Sequence, residues 1–257
     1  GGSAGNTVAG VGSFGGRAAY LGKVADDTLG QVFTHDIRAA GVAFDTPALT
    51  GGAGTGRCLI NVTPDAQRTM STFLGAANQL TVADIDAAVI ADSAILYLEG
   101  YLFDPAPARA AFVDSFVVGR WRVELLAFIE ASADIVLANE SELLALFETD
   151  DFEAAAARLA AIVEVAAITR SADGSVIVRG DDRVAVKAAP VGKVIDTTGA
   201  GDQYAAGFLL GLARGLTLAE AGALGSLAAA EVIAHWGPRP MVSLESLATE
   251  AGLKLEA

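Results

Sequence analysis

DTTGAGDQYAAGF, residues 196–208, places three small residues directly before a strongly apolar segment with the composition of a helix. A helix that opens on such an uncovered turn directs several unpaired N–H groups, and the positive end of its dipole, toward one point. We therefore predict that the turn at 199–201 binds an anion and that the helix ends before Gly215. Asp202 lies in the first turn of this helix, so its carboxylate would stand beside the anion.

A carboxylate beside a phosphate is unfavourable unless it has a chemical task, and accepting a proton from an attacking hydroxyl is one such task. Asp202 is therefore a candidate general base. The alternative is a tight turn in which Asp202 only complements the helix dipole. The sequence contains no GxxxxGK[ST] loop, and the GxGxxG-like stretch at 10–16 is a weak signal without an acidic residue at the end of the next strand.

Composition narrows the class of protein. The 257 residues are 53% apolar, enough to bury a full core in one domain, and no apolar run approaches the roughly 18 residues that span a bilayer. The formal net charge of -14 argues against a nucleic-acid groove or an anionic membrane surface as partner. A single cysteine excludes an internal disulfide and favours a reducing, cytoplasmic setting.

Short β-rich runs alternate with Ala- and Leu-rich helical runs through most of the chain. The predicted strands are AILYLE at 94–99, DIVLAN at 134–139, VAAITR at 165–170 and SVIVRG at 175–180. Helices are predicted in LTVADIDAAVIADS at 80–93, where Thr81 and Asp84 have capping-box spacing, and in DFEAAAARLAAIVE at 151–164. This alternation predicts an α/β fold with a mostly parallel sheet covered by helices on both faces.

One region breaks the alternation. RCLINVTPDAQRTMSTFL, residues 57–74, contains two extended runs around the turn signal TPDAQ and reads as an antiparallel hairpin with one wet face. Such a hairpin, at about 56–74, is either a lid over a site or an edge of the main sheet.

Two places suggest missing chain. The sequence opens on GGSAGN without an initiator Met, so we expect an N-terminal strand to be absent. In DPAPARAAFVDSFVVGRWRVELLAF, residues 104–128, PARAAF allows barely two helical turns before VDSFVV, too little for the βαβ unit that should follow, which needs about 30 residues. We therefore expect a break near Phe112 and Val113, with Cα atoms farther apart than the roughly 3.8 Å of a trans peptide.

Two motifs carry a family resemblance. DTTGAGD and the first forty or so residues, GGSAGNTVAGVGSFGGRAAYLGKVADDTLGQVFTHDIRAAGV, resemble the two signatures of the ribokinase-like (phosphofructokinase-B type) sugar and nucleoside kinases. The likeness runs from Gly1 to Pro240. TMSTFLGAANQL at 69–80 and GPRP at 237–240 are similar to adenosine kinase-like members. The resemblance implies one doubly wound α/β domain over 1–257 with a small β-sheet lid.

The resemblance also implies roles for residues. Asp202 matches the general base, and Gly199, Ala200 and Gly201 match the oxyanion hole for the transferred phosphoryl group. The GGxxxN element, which grips ribose hydroxyls in the family, falls on Gly1, Gly2, Ser3 and Asn6. Backbone groups and a carboxamide can both donate to and accept from a vicinal diol.

Further matches concern ATP and Mg²⁺. Asn139 and Glu142 match the NxxE element that positions Mg²⁺ and a phosphate, and the same spacing is also a helix capping box. Arg68 corresponds to an arginine near the phosphate in adenosine kinases; a solvated turn arginine is the alternative. Thr169 and Gly174 match positions that line the ATP site, although the family often carries glycine at the position of Ser171.

Two further positions belong to the expected nucleotide side. Thr198 belongs to a stretch whose carbonyls hold a monovalent cation such as K⁺ in some relatives. His235 either faces the adenine or packs on its own helix beside Trp236.

The implied activity is transfer of phosphate from Mg-ATP to the primary hydroxyl of a ribosyl compound, with adenosine as the expected substrate. One alternative is a sugar kinase that acts on ribose, fructose or a related carbohydrate. The other is a nucleoside-binding protein that has lost turnover. The expected partners are small molecules only, and the hairpin is compatible with a monomer or a homodimer.

Overall fold

The computed structural model of the chain describes residues 2–99 and 118–257, with the backbone alone for residues 118–121. The helices are α1 Ser3–Ser13, α2 Thr28–Ala39, α3 Ala87–Ala91, α4 Val118–Ser132, α5 Glu140–Phe147, α6 Phe152–Ala160, α7 Ala200–Ala213, α8 Leu218–Val232 and α9 Leu244–Glu250. The strands are β1 Ala18–Ala19, β2 Val42–Ala43, β3 Arg57–Val62, β4 Arg68–Phe73, β5 Ile135–Asn139, β6 Val165–Thr169, β7 Ser175–Arg179 and β8 Asp182–Val186. Gly1 and the expected break near Phe112 and Val113 lie outside the described residues.

The main described sheet has the strand order β5-β6-β7-β8. Three of its strands are the predicted runs at 134–139, 165–170 and 175–180. β5 and β6 pair in parallel, whereas β6–β7 and β7–β8 are antiparallel. β7 and β8 are joined by only two residues, Gly180 and Asp181, and a connection this short can join only antiparallel strands. Parallel pairing recurs between β1 and β2.

Helices cover both faces of this sheet, as predicted. Alternate residues of β6 point to opposite sides, so Ala166 and Ile168 join the core under α4, α5 and α6. Val165 and Ala167 join a second core that contains Tyr204 and other residues of α7. β6 is therefore apolar along its whole length because both of its faces are buried.

Two predicted elements differ in the structure. The segment at 94–99 carries no strand ladder with any described residue, although Ile95 and Tyr97 do pack against the core. Alternation predicts which side chains are buried, but a strand also needs a paired backbone. The helix predicted at 80–93 is a 3₁₀ turn, Val82–Asp84, followed by the short α3. The capping box of Thr81 and Asp84 is present, but it opens the 3₁₀ turn.

The predicted hairpin is confirmed as β3 and β4, paired from Arg57 with Phe73 to Val62 with Arg68. It forms its own two-stranded sheet, so within 2–99 and 118–257 it is not an edge of the main sheet. β3 alternates between exposed and half-buried residues, whereas every residue of β4 is exposed. The two strands of the hairpin therefore lie at the surface of the protein.

Close helix packing brings the two signature motifs together. α7 packs against both α1 and α8. An added methyl group at Gly207 of α7 would lie 2.5 Å from the backbone carbon of Leu224 in α8, and one at Gly10 of α1 would lie 2.7 Å from the Cβ of Ala206. Small residues thus let the N-termini of α1 and α7 approach each other. No helix in the described part of the chain is long and apolar enough to cross a membrane.

Candidate active site

The GAG turn opens α7 as predicted. Gly199 is the N-cap residue and has a left-handed backbone with φ of 82°. A side chain there would also lie 2.7 Å from the Cβ of Pro238, so only glycine fits without strain. A methyl group at Gly201 would meet nothing within 4 Å. The N–H of Ala200 donates to the carbonyl oxygen of Thr197 at 3.3 Å, whereas those of Gly201 and Asp202 have no partner among the described residues. Because Gly201 is exposed, an anion at this turn can accept from them.

Asp202 stands at this opening and is held by the start of α1. Its Oδ1 accepts a hydrogen bond from the hydroxyl of Ser3, and its Oδ2 accepts one from Nδ2 of Asn6 at 2.8 Å. Burial raises the pKa of Asp202, while the hydrogen bonds from Ser3 and Asn6 and the charge of Arg68 oppose the rise. The structure thus joins the candidate base, Asp202, to two residues of the predicted sugar-binding motif.

Glu99 belongs to the same cluster, although sequence analysis did not single it out. Its Oε1 lies 2.6 Å from the hydroxyl of Ser3 and accepts a hydrogen bond of 2.6 Å from the hydroxyl of Tyr97. Burial, with the nearby charges of Asp202 and Glu142, raises the pKa of Glu99 to about 7. The alternation in AILYLE held the signal, since it places Glu99 on the same buried side as Ile95 and Tyr97.

The contacts require a proton on one of the two carboxyl groups. Three hydrogen bonds link Tyr97, Glu99, Ser3 and Asp202 in series, and each needs its own proton. The hydroxyl groups of Tyr97 and Ser3 supply two, so the third belongs to a carboxyl group. Burial raises the pKa of both carboxyl groups, and that of Glu99 to about 7, so protonation of Glu99 below that pH supplies it. With the proton on Glu99, the Ser3 hydroxyl donates to Asp202.

Arg68 reaches the site from the turn of the hairpin. Its Nη1 donates to the carbonyl oxygen of Thr197 at 3.0 Å and to the hydroxyl of Thr197 at 2.9 Å. The Thr197 hydroxyl also contacts the carbonyl oxygen of Ala66 at 3.3 Å. The hairpin turn is therefore docked on the residue two positions before Gly199, which places the guanidinium of Arg68 near the GAG turn.

Asp196 and Thr198 form hydrogen bonds that stabilise the segment directly before the GAG turn. The buried carboxylate of Asp196 accepts from the backbone N–H and the hydroxyl of Thr198, at 2.9 and 2.6 Å, and from the N–H of Gly237 at 3.2 Å. Although burial raises the pKa of Asp196, these hydrogen bonds and the charge of Arg68 hold it below its ordinary value. The side chain of Thr198 is thus engaged within the protein.

The NxxE element forms the capping box. Oδ1 of Asn139 accepts from the N–H of Glu142, and Oε2 of Glu142 accepts from the N–H of Asn139, both at 2.9 Å. The cap leaves Oε1 of Glu142 outside it. In the part of the chain that the structure describes, no three His, Cys, Asp or Glu side chains cluster as metal ligands. One carboxylate oxygen, completed by phosphate and water, suits Mg²⁺, which retains several waters in proteins.

Thr169 and Gly174 lie at the carboxyl end of β6 and the start of β7. Thr169 is paired with Asn139 across the parallel strands, so it stands beside the NxxE element. Gly174 has φ of 86°, and a side chain would lie 2.0 Å from the carbonyl oxygen of Val186. Ser171 also has a positive φ, 50°, which explains why glycine suits this position.

His235 is engaged with the protein itself. Its Nε2 lies 3.1 Å from Oε1 of Glu231, and its Nδ1 lies 3.1 Å from the carbonyl oxygen of Trp236. Both ring nitrogens thus contact protein oxygens, as expected for a packed histidine. Of the two interpretations raised above, this geometry favours the second.

Comparison with known proteins agrees with this geometry. Residues 1–244 match the family model described as pfkB family carbohydrate kinase. An uncharacterized sugar kinase of Archaeoglobus fulgidus is 30% identical over 245 residues, which cover 90% of this chain and 96% of the relative.

Two solved structures are similar over nearly the whole chain. The adenosine kinase of Sinorhizobium meliloti is 50% identical with a TM-score of 0.95, and the match covers 98% of this chain and 83% of that one. A probable sugar kinase of Rhizobium etli is 47% identical with a TM-score of 0.96, over 99% and 83% of the two chains. The predicted α/β fold and family are confirmed: the chain belongs to the pfkB family of carbohydrate kinases.

Proposed function

We propose that this kinase transfers the γ-phosphate of Mg-ATP to the 5′-hydroxyl of adenosine. One observation carries the proposal: the carboxylate of Asp202, held by Ser3 and Asn6, stands at the open N-terminus of α7. A base and an anion-binding turn side by side are what in-line attack of a hydroxyl on a phosphoryl group requires.

In the proposed reaction, Asp202 accepts the proton of the substrate hydroxyl. Its raised pKa makes it a stronger base than an exposed aspartate, and protonation of Glu99, whose pKa is raised to about 7, removes a second negative charge from its surroundings. The N–H groups of residues 199–201 hold the charge that develops on the transferred phosphoryl group. Arg68 neutralises part of the same charge from the hairpin side.

The substrate end is lined by the start of α1. Asn6 is only 5% exposed, and its buried Oδ1 has no hydrogen-bond partner among the described residues. A buried acceptor without a donor is costly, so a hydroxyl of the substrate is its expected partner. Ser3 and the backbone of Gly2 stand beside it, and we extend this role to Gly1.

We assign the binding of Mg-ATP to a second set of residues. We propose that Glu142, with Asn139, faces Mg²⁺, which when bound would screen the phosphate charges. Thr169 and Gly174 are assigned to the nucleotide side of the sheet, and the hairpin at 56–74 acts as a lid that excludes water. Binding of K⁺ near Thr198 stays a prediction.

Adenosine is proposed over a free sugar because the similar Sinorhizobium meliloti protein is an adenosine kinase. One feature favours a sugar instead. Glu99, Tyr97, Ser3 and Asn6 form a polar cluster that suits the many hydroxyl groups of a carbohydrate. A sugar such as ribose or fructose is therefore the second candidate substrate.

The test is ADP release with Mg-ATP and adenosine, ribose or fructose. Asp202→Asn should lower kcat about 10²- to 10⁴-fold, because the general base is lost. Asp181→Asn, in the exposed turn after β7, is the matched control and should keep full activity. Turnover with a sugar alone would keep the mechanism and change the substrate. No turnover, with adenosine still raising the Tm, would indicate a nucleoside-binding protein instead.

A further inference from the structure

Gln203 follows the proposed base and is completely buried, with no exposed surface. Its Nε2 donates to the carbonyl oxygen of Asn6 at 2.9 Å and to the carbonyl oxygen of Pro238 at 3.1 Å. The two N–H bonds of one amide group are thus directed to two segments that are far apart in sequence.

The two segments serve different parts of the site. Asn6 donates to Asp202 through its side chain, so its backbone and its side chain are both bound by neighbouring residues of α7. Pro238 packs directly over Gly199, where the Cβ of any larger residue would collide with it. Gly237, next to it, donates to Asp196 below the anion-binding turn. Gln203 therefore links the substrate end to the loop that covers the phosphate end.

The amide of Gln203 carries a cost in stability. Its Oε1 is buried without a hydrogen-bond partner among the described residues, and a buried, unpaired acceptor costs free energy. An apolar side chain of the same shape would avoid that cost, but it would leave the carbonyl oxygens of Asn6 and Pro238 without this donor. Oε1 also occupies the space over Gly10, where a methyl group would lie 2.2 Å away. The amide therefore takes up this space with an unpaired oxygen, and its two N–H groups make its hydrogen bonds.

We propose that Gln203 is a positioning residue that couples the binding of the phosphoryl acceptor at α1 to the binding of ATP at the α7 turn. This inference rests on the proposed function. When the acceptor orders Asn6, the shared amide fixes Pro238 against Gly199, and binding of ATP has the converse effect. Such coupling is reciprocal, so each ligand should raise the affinity of the protein for the other.

The test measures this synergy by calorimetry. Adenosine is titrated into the protein with and without the β,γ-imido analogue of ATP and Mg²⁺; if the wild type turns over only a sugar, that sugar replaces adenosine. Gln203→Met keeps the length of the side chain and removes both N–H donors. Ser226→Ala is the matched control, because Ser226 also bridges two backbone groups, the N–H of Ala189 and the carbonyl of Lys187, away from the site.

We expect the wild type and Ser226→Ala to show synergy of about 5-fold or more. In Gln203→Met the synergy should disappear, and kcat should fall about 10-fold through misplacement of the reacting groups. The affinity for each ligand alone should change less than about 3-fold. A merely structural role would lower stability and leave the synergy unchanged.

A second variant covers the case in which Gln203→Met does not fold. Gln203→Glu, when protonated, retains one O–H donor and should retain part of the synergy, which should then be lost as pH rises. An active wild type without synergy, or Gln203 variants with full synergy, would overturn this proposal alone. A wild type that turns over none of the three substrates would overturn the proposed function and this coupling with it.

Discussion

Glu99 and Asp202 contact the same hydroxyl group, that of Ser3, whose single proton can be donated to only one of the two carboxyl groups at a time. The Ser3 hydroxyl thereby links the two carboxyl groups in one cluster. Their surroundings differ, because Glu99 accepts a hydrogen bond from Tyr97, whereas Asp202 accepts one from Asn6 and the charge of Arg68 opposes the rise in its pKa that burial causes.

The first prediction concerns stability and pH. The pKa of Glu99 rises from 4.5 to about 7 on folding, so the folded protein holds a proton that the unfolded chain releases. Its favourable contribution is complete below about pH 4.5 and is lost as pH rises through 7. Glu99→Gln should therefore be more stable than the wild type at pH 8, by up to about 3 kcal/mol, and similar at pH 4.5.

Urea unfolding at pH 4.5, 6 and 8 would measure this difference. Glu124→Gln, at an exposed position of α4, is the control and should give no such trend. An equal offset between Glu99→Gln and the wild type at all three pH values would mean that folding does not raise the pKa of Glu99.

A pair of glycine variants separates folding from chemistry. Gly199→Ala should destabilise the protein by about 1–3 kcal/mol, because φ is 82° and Pro238 occupies the space. Gly201→Ala should leave stability equal or up to about 1 kcal/mol higher, since alanine favours a helix and meets no neighbour. It should nevertheless lower kcat by crowding the anion. Thermal unfolding and ADP release would test both variants. Normal turnover by Gly201→Ala would contradict the binding of an anion at this turn.

Arg68→Met tests the hairpin as part of the site. Arg68 is exposed, so its loss should change the free energy of unfolding by less than about 0.5 kcal/mol. We expect kcat/KM for ATP to fall about 10²-fold, since one donor to the developing charge is removed. Arg57→Met, at the other end of the same hairpin, is the control. Equal kinetics of the two variants would make Arg68 an ordinary surface residue.

Asp196→Asn should destabilise the segment that supports the turn at 199–201. The carboxylate accepts three hydrogen bonds, and its lowered pKa means that this stabilisation is present above about pH 3.8 and is lost as pH falls further. At pH 7 the variant should lose about 1–3 kcal/mol. Unfolding of both proteins between pH 3 and 7 should show that the difference in their free energies of unfolding becomes smaller as pH falls. A difference that does not change with pH would exclude the charge of Asp196 as its cause.

Local patterns made much of the fold predictable. The GAG turn with its helix, the hairpin around TPDAQ and three strands of the sheet all depend on residues close in sequence. The segment at 94–99 was predicted as a strand, because its alternation is real, but alternation does not show what its backbone pairs with. The helix predicted at 80–93 was too long, because Asp86 is the N-cap of a separate short helix within that segment.

The sequence by itself determined the family and indicated Asp202 as a candidate base beside a candidate anion-binding turn, because these features reside in contiguous motifs. Only the tertiary structure brought Glu99 to Ser3 and Ser3 to Asp202, across separations of 96 and 199 residues. It likewise decided that Gln203 joins Asn6 to Pro238. The physical reason is that burial and hydrogen bonding set the charge of a carboxyl group, and both depend on neighbours that only the folded chain supplies.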